Sequence, residues 1–163
     1  MAHRQTIWTR DPGDLAAGPG TYILLLRLCA PADLPPRFGG TLAGGVYGYA
    51  GSARGPGGLR ARCHRHLRQE KSLRWHIDWL SAGAVDLMIA AFPDPRHCAS
   101  TGARIGECDL LHGLVASGAN MPVKGFGSSD CRRCTSHFVA LGQAWTTAAR
   151  AQLLERVFEA AFE

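Results

Sequence analysis

An apolar segment of strand length, from Thr21 to Leu28, constrains the fold of this chain more than any other feature. Gly18-Pro19-Gly20 precedes the segment, and prolines follow it at positions 31, 35 and 36. A short apolar run bounded by such residues is typical of a buried strand. No apolar run approaches the roughly 20 residues needed to span a bilayer, so we expect no membrane association. The sequence predicts a globular fold built around this strand.

Two more segments continue the strand pattern. Residues 46–52 are aromatic and bounded by glycines, and we expect them to pair antiparallel with the first strand. Residues 85–92 are apolar and end at Pro93, which predicts a third strand. On the first helical pattern, Leu59, Cys63 and Leu67 recur every four residues and form a buried stripe. Helices are predicted over 59–69, 73–80 and 103–116, and a short extended piece over 137–141.

The length of 163 residues is enough for one compact domain and too short for two independent ones. We divide the chain into an N-terminal extension (1–19), a domain (20–141) and a C-terminal segment (142–163). The last contains an amphipathic helix, which must dock on the domain or on a partner. The predicted fold class is α/β, of the α+β kind. It is a small, three-stranded, mainly antiparallel sheet flanked by helices, with an added C-terminal helix.

Basic residues are concentrated between Arg54 and Arg74. The chain carries a formal charge of +5 with a pI near 9.1, and Glu70 is the only acid in this stretch. A cluster of this density favours a surface that contacts the phosphates of a nucleic acid. We predict nucleic-acid contacts, more with DNA than with RNA, from Arg54, Arg60, Arg65, Arg68, Lys71 and Arg74.

Five polar side chains form a plausible hydrolytic set. Tyr22 and Tyr49 lie at predicted strands, and Arg62 and His66 are four apart on one helical face. Glu107 falls within a later predicted helix. Phosphodiester hydrolysis needs an activated water and neutralisation of the charge on the phosphoryl oxygens. Singly, each residue has a structural explanation, but their order along the chain favours a functional one.

That order resembles the GIY-YIG nuclease superfamily. Gly-Thr-Tyr ending at Tyr22 is similar to the first motif of the superfamily, and Tyr-Ala-Gly beginning at Tyr49 is similar to the second. Arg62 followed by His66 resembles the next helix, and Glu107 matches the metal-binding glutamate. The segments 51–53, 65–67, 75–78 and 127–131 look like a small stand-alone branch, sometimes called the Uri endonuclease-like family.

The resemblance implies a metal-dependent endonuclease that hydrolyses phosphodiester bonds in structured or damaged DNA. Glu107 would bind one Mg²⁺ or Mn²⁺ ion, Tyr22 would accept the proton of the attacking water, and Arg62 would stabilise the phosphoryl group. Tyr49 and His66 would position the water or the phosphate. Arg60 remains a rival for the role of the arginine, and which tyrosine is the base stays open. The alternative is a catalytically weak or inactive nucleic-acid-binding module that uses the basic residues 54–74.

The cysteines allow a second metal site. The polar N-terminal residues lack the features of a secretory signal, so we expect a cytoplasmic protein whose six cysteines are reduced thiols or metal ligands. Cys131, Cys134 and His137 have the spacing of part of a zinc site, which requires four ligands. We favour reduced thiols in a turn over zinc, with His137 beginning a strand. The candidates for a fourth ligand are Cys108, His112 and His76.

Overall fold

The computed structural model describes residues 8–94, 104–143 and 146–162, with side chains of the last helix described up to residue 160. The first elements are β1 (Trp8–Thr9), a 3₁₀ turn (Pro12–Asp14), β2 (Gly20–Leu28), β3 (Ala32–Asp33), β4 (Thr41–Leu42) and β5 (Gly45–Ala53). They are followed by α1 (Gly58–Leu67), α2 (His76–Ser81), β6 (Asp86–Pro93), α3 (Glu107–Ala116), β7 (Phe138–Gly142) and α4 (Thr147–Phe162).

The sheet differs from the prediction. In the described residues it has five strands, in the order β1-β6-β2-β5-β7, where three were expected, and all pairings are antiparallel. β1 has two residues, which is too short to produce a periodic pattern in the sequence. β7 was expected to be extended but not to join the sheet; it pairs with β5 at the edge. A separate two-stranded sheet joins β3 and β4.

The predicted buried strand is the centre of the sheet. β2 pairs with β5 on one side and with β6 on the other over almost its whole length. Its residues alternate between two faces. Tyr22, Leu24 and Leu26 pack with residues of α1 and α2, while Ile23 and Leu25 pack with residues of α3 and α4. The core therefore has two layers, one on each face.

The ends of the chain are built into this architecture. β1 pairs with β6, and the amide of Leu59 donates to the carbonyl of Gly18 at 2.9 Å. Thus the predicted N-terminal extension contributes β1 to the sheet and accepts a hydrogen bond from the start of α1. At the other end, Leu154 and Val157 of α4 are buried with residues of α3. In the described part of the chain, no helix combines the length and apolar character required to cross a membrane.

Two helices, α2 and α3, begin later than predicted. α2 begins at His76 instead of residue 73, and α3 begins at Glu107, with residues 104–106 non-helical and Ala103 outside the described residues. α2 begins where Asp78 accepts hydrogen bonds from the backbone amides of Arg74 and Trp75, at 2.8 and 2.9 Å. α3 begins where Asp109 accepts from the amide of Gly106 at 2.8 Å. Side-chain capping at the third helical position thus fixes both starts.

Candidate functional site

The five predicted catalytic residues line one hollow of about 550 Å³. Tyr22 comes from β2, Tyr49 from β5, Arg62 and His66 from α1, and Glu107 from the first position of α3. Four separate elements therefore meet at this point. A concave site lined by several convergent polar groups is the usual form of an active or binding site.

A glycine supports each tyrosine. Gly51 lies opposite Tyr22 in the sheet, and a Cβ added there would collide with the phenol of Tyr22. Gly127 has φ +70°, and an added Cβ would stand 2.5 Å from the ring of Tyr49. A side chain at either position would displace a ring that lines the hollow. These two glycines are therefore part of the construction of the site.

Tyr22 and His66 form a buried pair. The phenol oxygen lies 2.6 Å from Nε2 of His66, and both residues are 1% exposed. Burial, followed by the charge of nearby Lys71, lowers the pKa of His66 to about 3, so its imidazole is neutral. Its other nitrogen, Nδ1, is buried without a hydrogen-bond partner among the described residues. Burial also raises the pKa of Tyr22 well above its usual value.

Tyr49 is also a neutral phenol at physiological pH. Burial, and then the negative charge of Glu107, raises the pKa of Tyr49 to about 12. Thus neither tyrosine is ionised in the metal-free protein. For Tyr22 to accept a proton from water, either a cation must bind nearby or the phenol must pass its own proton to His66. Among the described contacts of these two phenols, only Tyr22 has a hydrogen bond to an imidazole.

Trp75 holds Arg62 beside the hollow. The guanidinium carbon of Arg62 lies 4.2 Å from the centroid of the Trp75 ring, and that of Arg65 lies 4.1 Å from it. The indole is therefore in contact with two cations, an arrangement that restricts the orientation of both. Arg65 is fixed further by two hydrogen bonds to Asp78, at 2.7 and 2.8 Å.

Asp78 is the buried anchor of this region. Burial alone would raise the pKa of Asp78, but the hydrogen bonds from Arg65 and from the backbone amides of Trp75 and Arg74 hold that pKa below its usual value. The carboxylate is fully buried and ionised, and it connects α1 to the start of α2. The position of Trp75, and through it that of Arg62, therefore depends on Asp78.

Most of the predicted phosphate-binding residues are used within the protein. Arg54 pairs with Asp94, and Arg65 pairs with Asp78. Arg60 donates to the carbonyl of Leu15 at 2.9 Å, and Lys71 donates to the carbonyl of His66 at 2.7 Å. Arg68 is exposed on α1's far end, and Arg74 alone of the predicted six lines the hollow. Of the two arginines that the sequence offered for the catalytic role, Arg62 lines the hollow and Arg60 is not among the lining residues.

A cysteine cluster adjoins the hollow. Cys108, Cys131, Cys134 and His137 place one ligand atom each within 4.8 Å of the others, and they could hold a metal ion. Cys131 and His137 also line the hollow. Cys108 is the fourth ligand among the candidates from the sequence; His112 and His76 are not in the cluster. The sequence analysis favoured reduced thiols in a turn over a zinc site. The structure instead brings these four side chains together, as a metal site requires.

The cluster has the geometry and donors for zinc rather than for Mg²⁺ or Mn²⁺. The sulfurs of Cys108 and Cys131 are 3.5 Å apart, and the Cys108 sulfur is 3.9 Å from Nε2 of His137. A tetrahedron with Zn–S bonds of about 2.3 Å has edges of about 3.8 Å. Three sulfurs and an imidazole are soft or intermediate donors, whereas Mg²⁺ and Mn²⁺ prefer oxygen.

Backbone amides prepare one thiol of the cluster for ionisation. Burial alone would raise the pKa of Cys131, but the amides of Arg133 and Cys134, 3.4 and 3.3 Å from its sulfur, contribute to lowering that pKa to about 6. Burial and contact with the Cys108 thiol raise the pKa of Cys134 to about 12. Without a cation, therefore, the three thiols cannot all be thiolates at neutral pH.

Sequence reasoning did not assign Trp75, Arg132 or Arg133 to the site, although all three line the hollow. The two arginines lie between Cys131 and Cys134, a pair whose zinc-like spacing was recognised without attention to the residues between them. Trp75 lies 13 residues beyond Arg62, immediately before α2, and the connection from α1 to α2 brings the two into contact. Nothing in the spacing of the sequence indicates that contact.

The family model described as "Domain of unknown function DUF123" matches residues 21–160, which is most of the chain. The chain belongs to this family. The match includes the five predicted catalytic residues and all four residues of the cysteine cluster. The description of the family names no activity. No curated protein and no solved structure matches the chain. The resemblance to GIY-YIG nucleases, and to their Uri endonuclease-like branch, stays a prediction from the motifs.

Proposed function

We propose that this protein is a metal-dependent endonuclease that hydrolyses phosphodiester bonds in DNA, with structured or damaged DNA as its substrate. One observation carries the proposal. The phenol, guanidinium, imidazole and carboxylate that the GIY-YIG resemblance selects, from positions 22 to 107, line a single hollow. The functional groups that phosphodiester hydrolysis requires are therefore present together in one concave site.

Each side chain supplies one requirement of the reaction. The phenol of Tyr22 passes its own proton to Nε2 of the neutral His66 as its oxygen takes the proton of the attacking water. The guanidinium of Arg62 pairs with the non-bridging phosphate oxygens as negative charge grows on them. Tyr49 bounds the other side of the water. Because both phenols are buried, bulk water does not reach the sides of their rings that face the core.

Glu107 is the residue that would hold a catalytic Mg²⁺ or Mn²⁺ ion. Its carboxylate is partly buried, lines the hollow, and offers the oxygen ligand that these ions prefer. A single carboxylate suffices where phosphate oxygens and water complete the coordination. When bound, the ion supplies a Lewis acid and lowers the pKa of water.

The cysteine cluster would hold a different ion. Three cysteines and one histidine in a closed set of four are the ligands of structural zinc, and they leave no position for a substrate. We therefore assign the cluster to zinc, with a structural role, and the catalytic ion to Glu107. One zinc per chain in protein purified without a histidine tag is the expected result of elemental analysis, and a clearly lower ratio would remove this assignment.

A cleavage assay tests the enzyme proposal. Plasmid, forked and nicked DNA are incubated with Mg²⁺ or Mn²⁺, and initial rates are compared for the parent protein, Glu107→Gln and Arg62→Ala. We expect both variants to cleave about 10²–10³-fold more slowly. Glu70→Gln, which removes the same charge from an exposed position outside the hollow, controls for net charge and should match the parent. Equal rates in all four proteins, or no cleavage by the parent, would refute the proposal.

The raised pKa values favour one other candidate, a nucleic-acid-binding module without turnover. Both phenols are neutral in the metal-free protein, which is the state expected of a site that only binds. In that case the parent would bind the same DNA with either divalent ion present and leave it uncut. The cleavage assay therefore separates the two functions.

A further inference from the structure

The hollow has a second basic wall that does not come from α1. Arg132 and Arg133 line the hollow together with Arg62 and Arg74, and they come from residues 127–134, a segment that contains turns but no helix or strand. Both side chains are exposed. Within the part of the chain that is described, neither guanidinium takes part in an ion pair or a hydrogen bond. They are free to bind a ligand.

The charge of the hollow fits a polyanion. Four arginines line it, against the two carboxylates of Glu107 and Asp130. Of the arginines on α1 outside the hollow, Arg65 is paired with Asp78, and Arg60 donates to the carbonyl of Leu15. Guanidinium groups that line one hollow from separate segments of the chain can contact successive phosphates of one strand.

We propose that Arg132 and Arg133, together with Arg74 of the same hollow, bind the sugar-phosphate backbone of a nucleic-acid strand, and that the metal held by the cysteine cluster keeps this wall in place. The inference deepens the proposed function and rests on it for the identity of the ligand. It assigns strand binding to a surface that includes residues 132 and 133 instead of to the whole stretch 54–74.

The cluster fixes the wall because of where its ligands lie. Cys131 and Cys134 immediately flank the two arginines, so a metal bound to both sulfurs holds each end of this short piece of backbone. Cys108 is the next residue after Glu107 and ties the same metal to the start of α3. Without the metal, residues 127–134 are held by one described long-range hydrogen bond outside the cysteine cluster, from the Gly127 amide to Nδ1 of His76 at 3.0 Å. Their other hydrogen bonds outside the cluster are local, such as that from the Cys131 amide to the Ser128 carbonyl. A fixed wall loses less conformational entropy on binding than a mobile one.

The first test measures binding in the absence of added divalent ions. The probe is a fluorescein-labelled single-stranded oligonucleotide, and its anisotropy gives the dissociation constant. We expect Arg132→Ala/Arg133→Ala to raise this constant about 10- to 100-fold and to reduce the salt slope by about 1.4, for two phosphate contacts on a single strand. Arg150→Ala/Arg156→Ala removes the same charge from α4, on the other face of the sheet, and is expected to change the constant less than about 3-fold.

Two outcomes would overturn the assignment of the wall. One is unchanged binding by the Arg132→Ala/Arg133→Ala protein, and the other is an equal loss in the α4 variant, since that would indicate a nonspecific effect of net charge. Competition with inorganic phosphate shows whether the arginines bind a nucleic-acid strand or a free phosphate ion. A strand contacts several arginines at once, so millimolar phosphate is expected to displace it poorly; complete displacement would indicate an anion site only.

The second test addresses the metal. Cys134→Ser is compared with Cys29→Ser, an exposed cysteine outside the cluster. We expect only Cys134→Ser to lose zinc and the thiolate-to-cobalt absorption of the Co²⁺-loaded protein, and to bind the oligonucleotide about 10-fold more weakly. If Cys134→Ser does not fold, the parent protein is stripped with a zinc chelator and reloaded. Unchanged oligonucleotide affinity after complete loss of the metal would refute the role of the cluster.

The failure of this inference can be distinguished from the failure of the enzyme proposal. If the parent binds through Arg132 and Arg133 but never cleaves DNA with Mg²⁺ or Mn²⁺, the enzyme proposal fails and this inference stands. If cleavage depends on Glu107 while the Arg132→Ala/Arg133→Ala protein retains the parent's KM and dissociation constant, the enzyme proposal stands and this inference fails.

Discussion

The two faces of the central sheet bury different chemistry. On the face covered by α3 and α4, Ile23 and Leu25 pack among aliphatic residues such as Leu110, all at most 1% exposed. On the face covered by α1 and α2, the same strand places Tyr22 in hydrogen-bond contact with His66. Because side chains of a strand alternate, one strand can support stability on one face and a polar site on the other.

This difference teaches where the protein can tolerate polar groups. The site face accommodates a buried phenol, an imidazole and a carboxylate because each has a partner or opens onto the hollow. The other face has close packing, and at Gly113 an added Cβ would stand 2.8 Å from the backbone of Val157. The faces should therefore respond differently to substitution, with stability lost on one and activity on the other.

The largest effect on stability is expected from Leu110→Ala, on the aliphatic face. Removal of a fully buried leucine leaves a cavity, which should lower the free energy of unfolding by about 2–5 kcal/mol, as measured by urea denaturation. Val115→Ala, on the exposed side of the same helix, is the control and should change it by less than about 0.5 kcal/mol. Similar losses in both variants would contradict the division between the faces.

Tyr22→Phe should give the opposite result. It removes only the hydroxyl that contacts His66, so we expect cleavage to fall by about 10²-fold or more while the fold persists. Tyr47→Phe is the matched control, since the Tyr47 hydroxyl donates to the Ala43 carbonyl at 2.7 Å outside the hollow. Parent-like cleavage by Tyr22→Phe would show that its hydroxyl has no chemical role.

His66 should make stability depend on pH. Its pKa is about 3 in the folded protein and near 6.5 when unfolded, so the unfolded chain takes up a proton between these values that the native protein does not. Stability therefore falls as the pH falls below 6.5, by about 2 kcal/mol at pH 5. Lys71, Arg62 and Arg65 also oppose protonation, and Asp78 favours it.

Urea denaturation at pH 7 and pH 5 measures this effect. His66→Gln is expected to flatten the difference between the two pH values, whereas His112→Gln, exposed on α3, is expected to leave it as in the parent. A parent protein that is equally stable at both values, or an unchanged difference in His66→Gln, would show that this imidazole is not held neutral.

Trp75→Leu should have the smallest effect of the set. The indole orients Arg62 without touching the reacting atoms, so its loss is expected to slow cleavage about 10-fold, with a larger change in kcat than in KM. Trp79→Leu, within the helix that Trp75 precedes, is the comparison and should retain nearly full activity. Equal rates in the two variants would remove the positioning role of Trp75.

The sequence predicted elements whose patterns are long and local. β2, β5 and β6 follow from apolar runs bounded by glycine and proline, and the antiparallel pairing of β2 with β5 is confirmed. The two added strands could not be predicted because β1 has two residues and β7 lacks an obvious partner in the sequence. Pairing at a sheet edge depends on tertiary contacts rather than on local propensity.

Long-range partners explain what was missed at the site. Arg54 and Arg65 looked available for phosphates because Asp94 and Asp78, which pair with them, lie 40 and 13 residues away. Cys108, one of the three candidates that the sequence offered for the fourth ligand, joins the cluster across 23 residues from Cys131, and folding decides between it and the other two. A motif fixes residue types and spacing, but it does not reveal which charges are neutralised by folding.

The double pairing of β2 has a consequence for the order in which the molecule opens. Amide protons in the middle of this strand, flanked by hydrogen-bonded neighbours on both edges, should be among the slowest to exchange with deuterium. Detachment of α4 from its neighbours leaves those pairings untouched. A molecule in which α4 has transiently detached would therefore keep Tyr22 in its native position in the sheet.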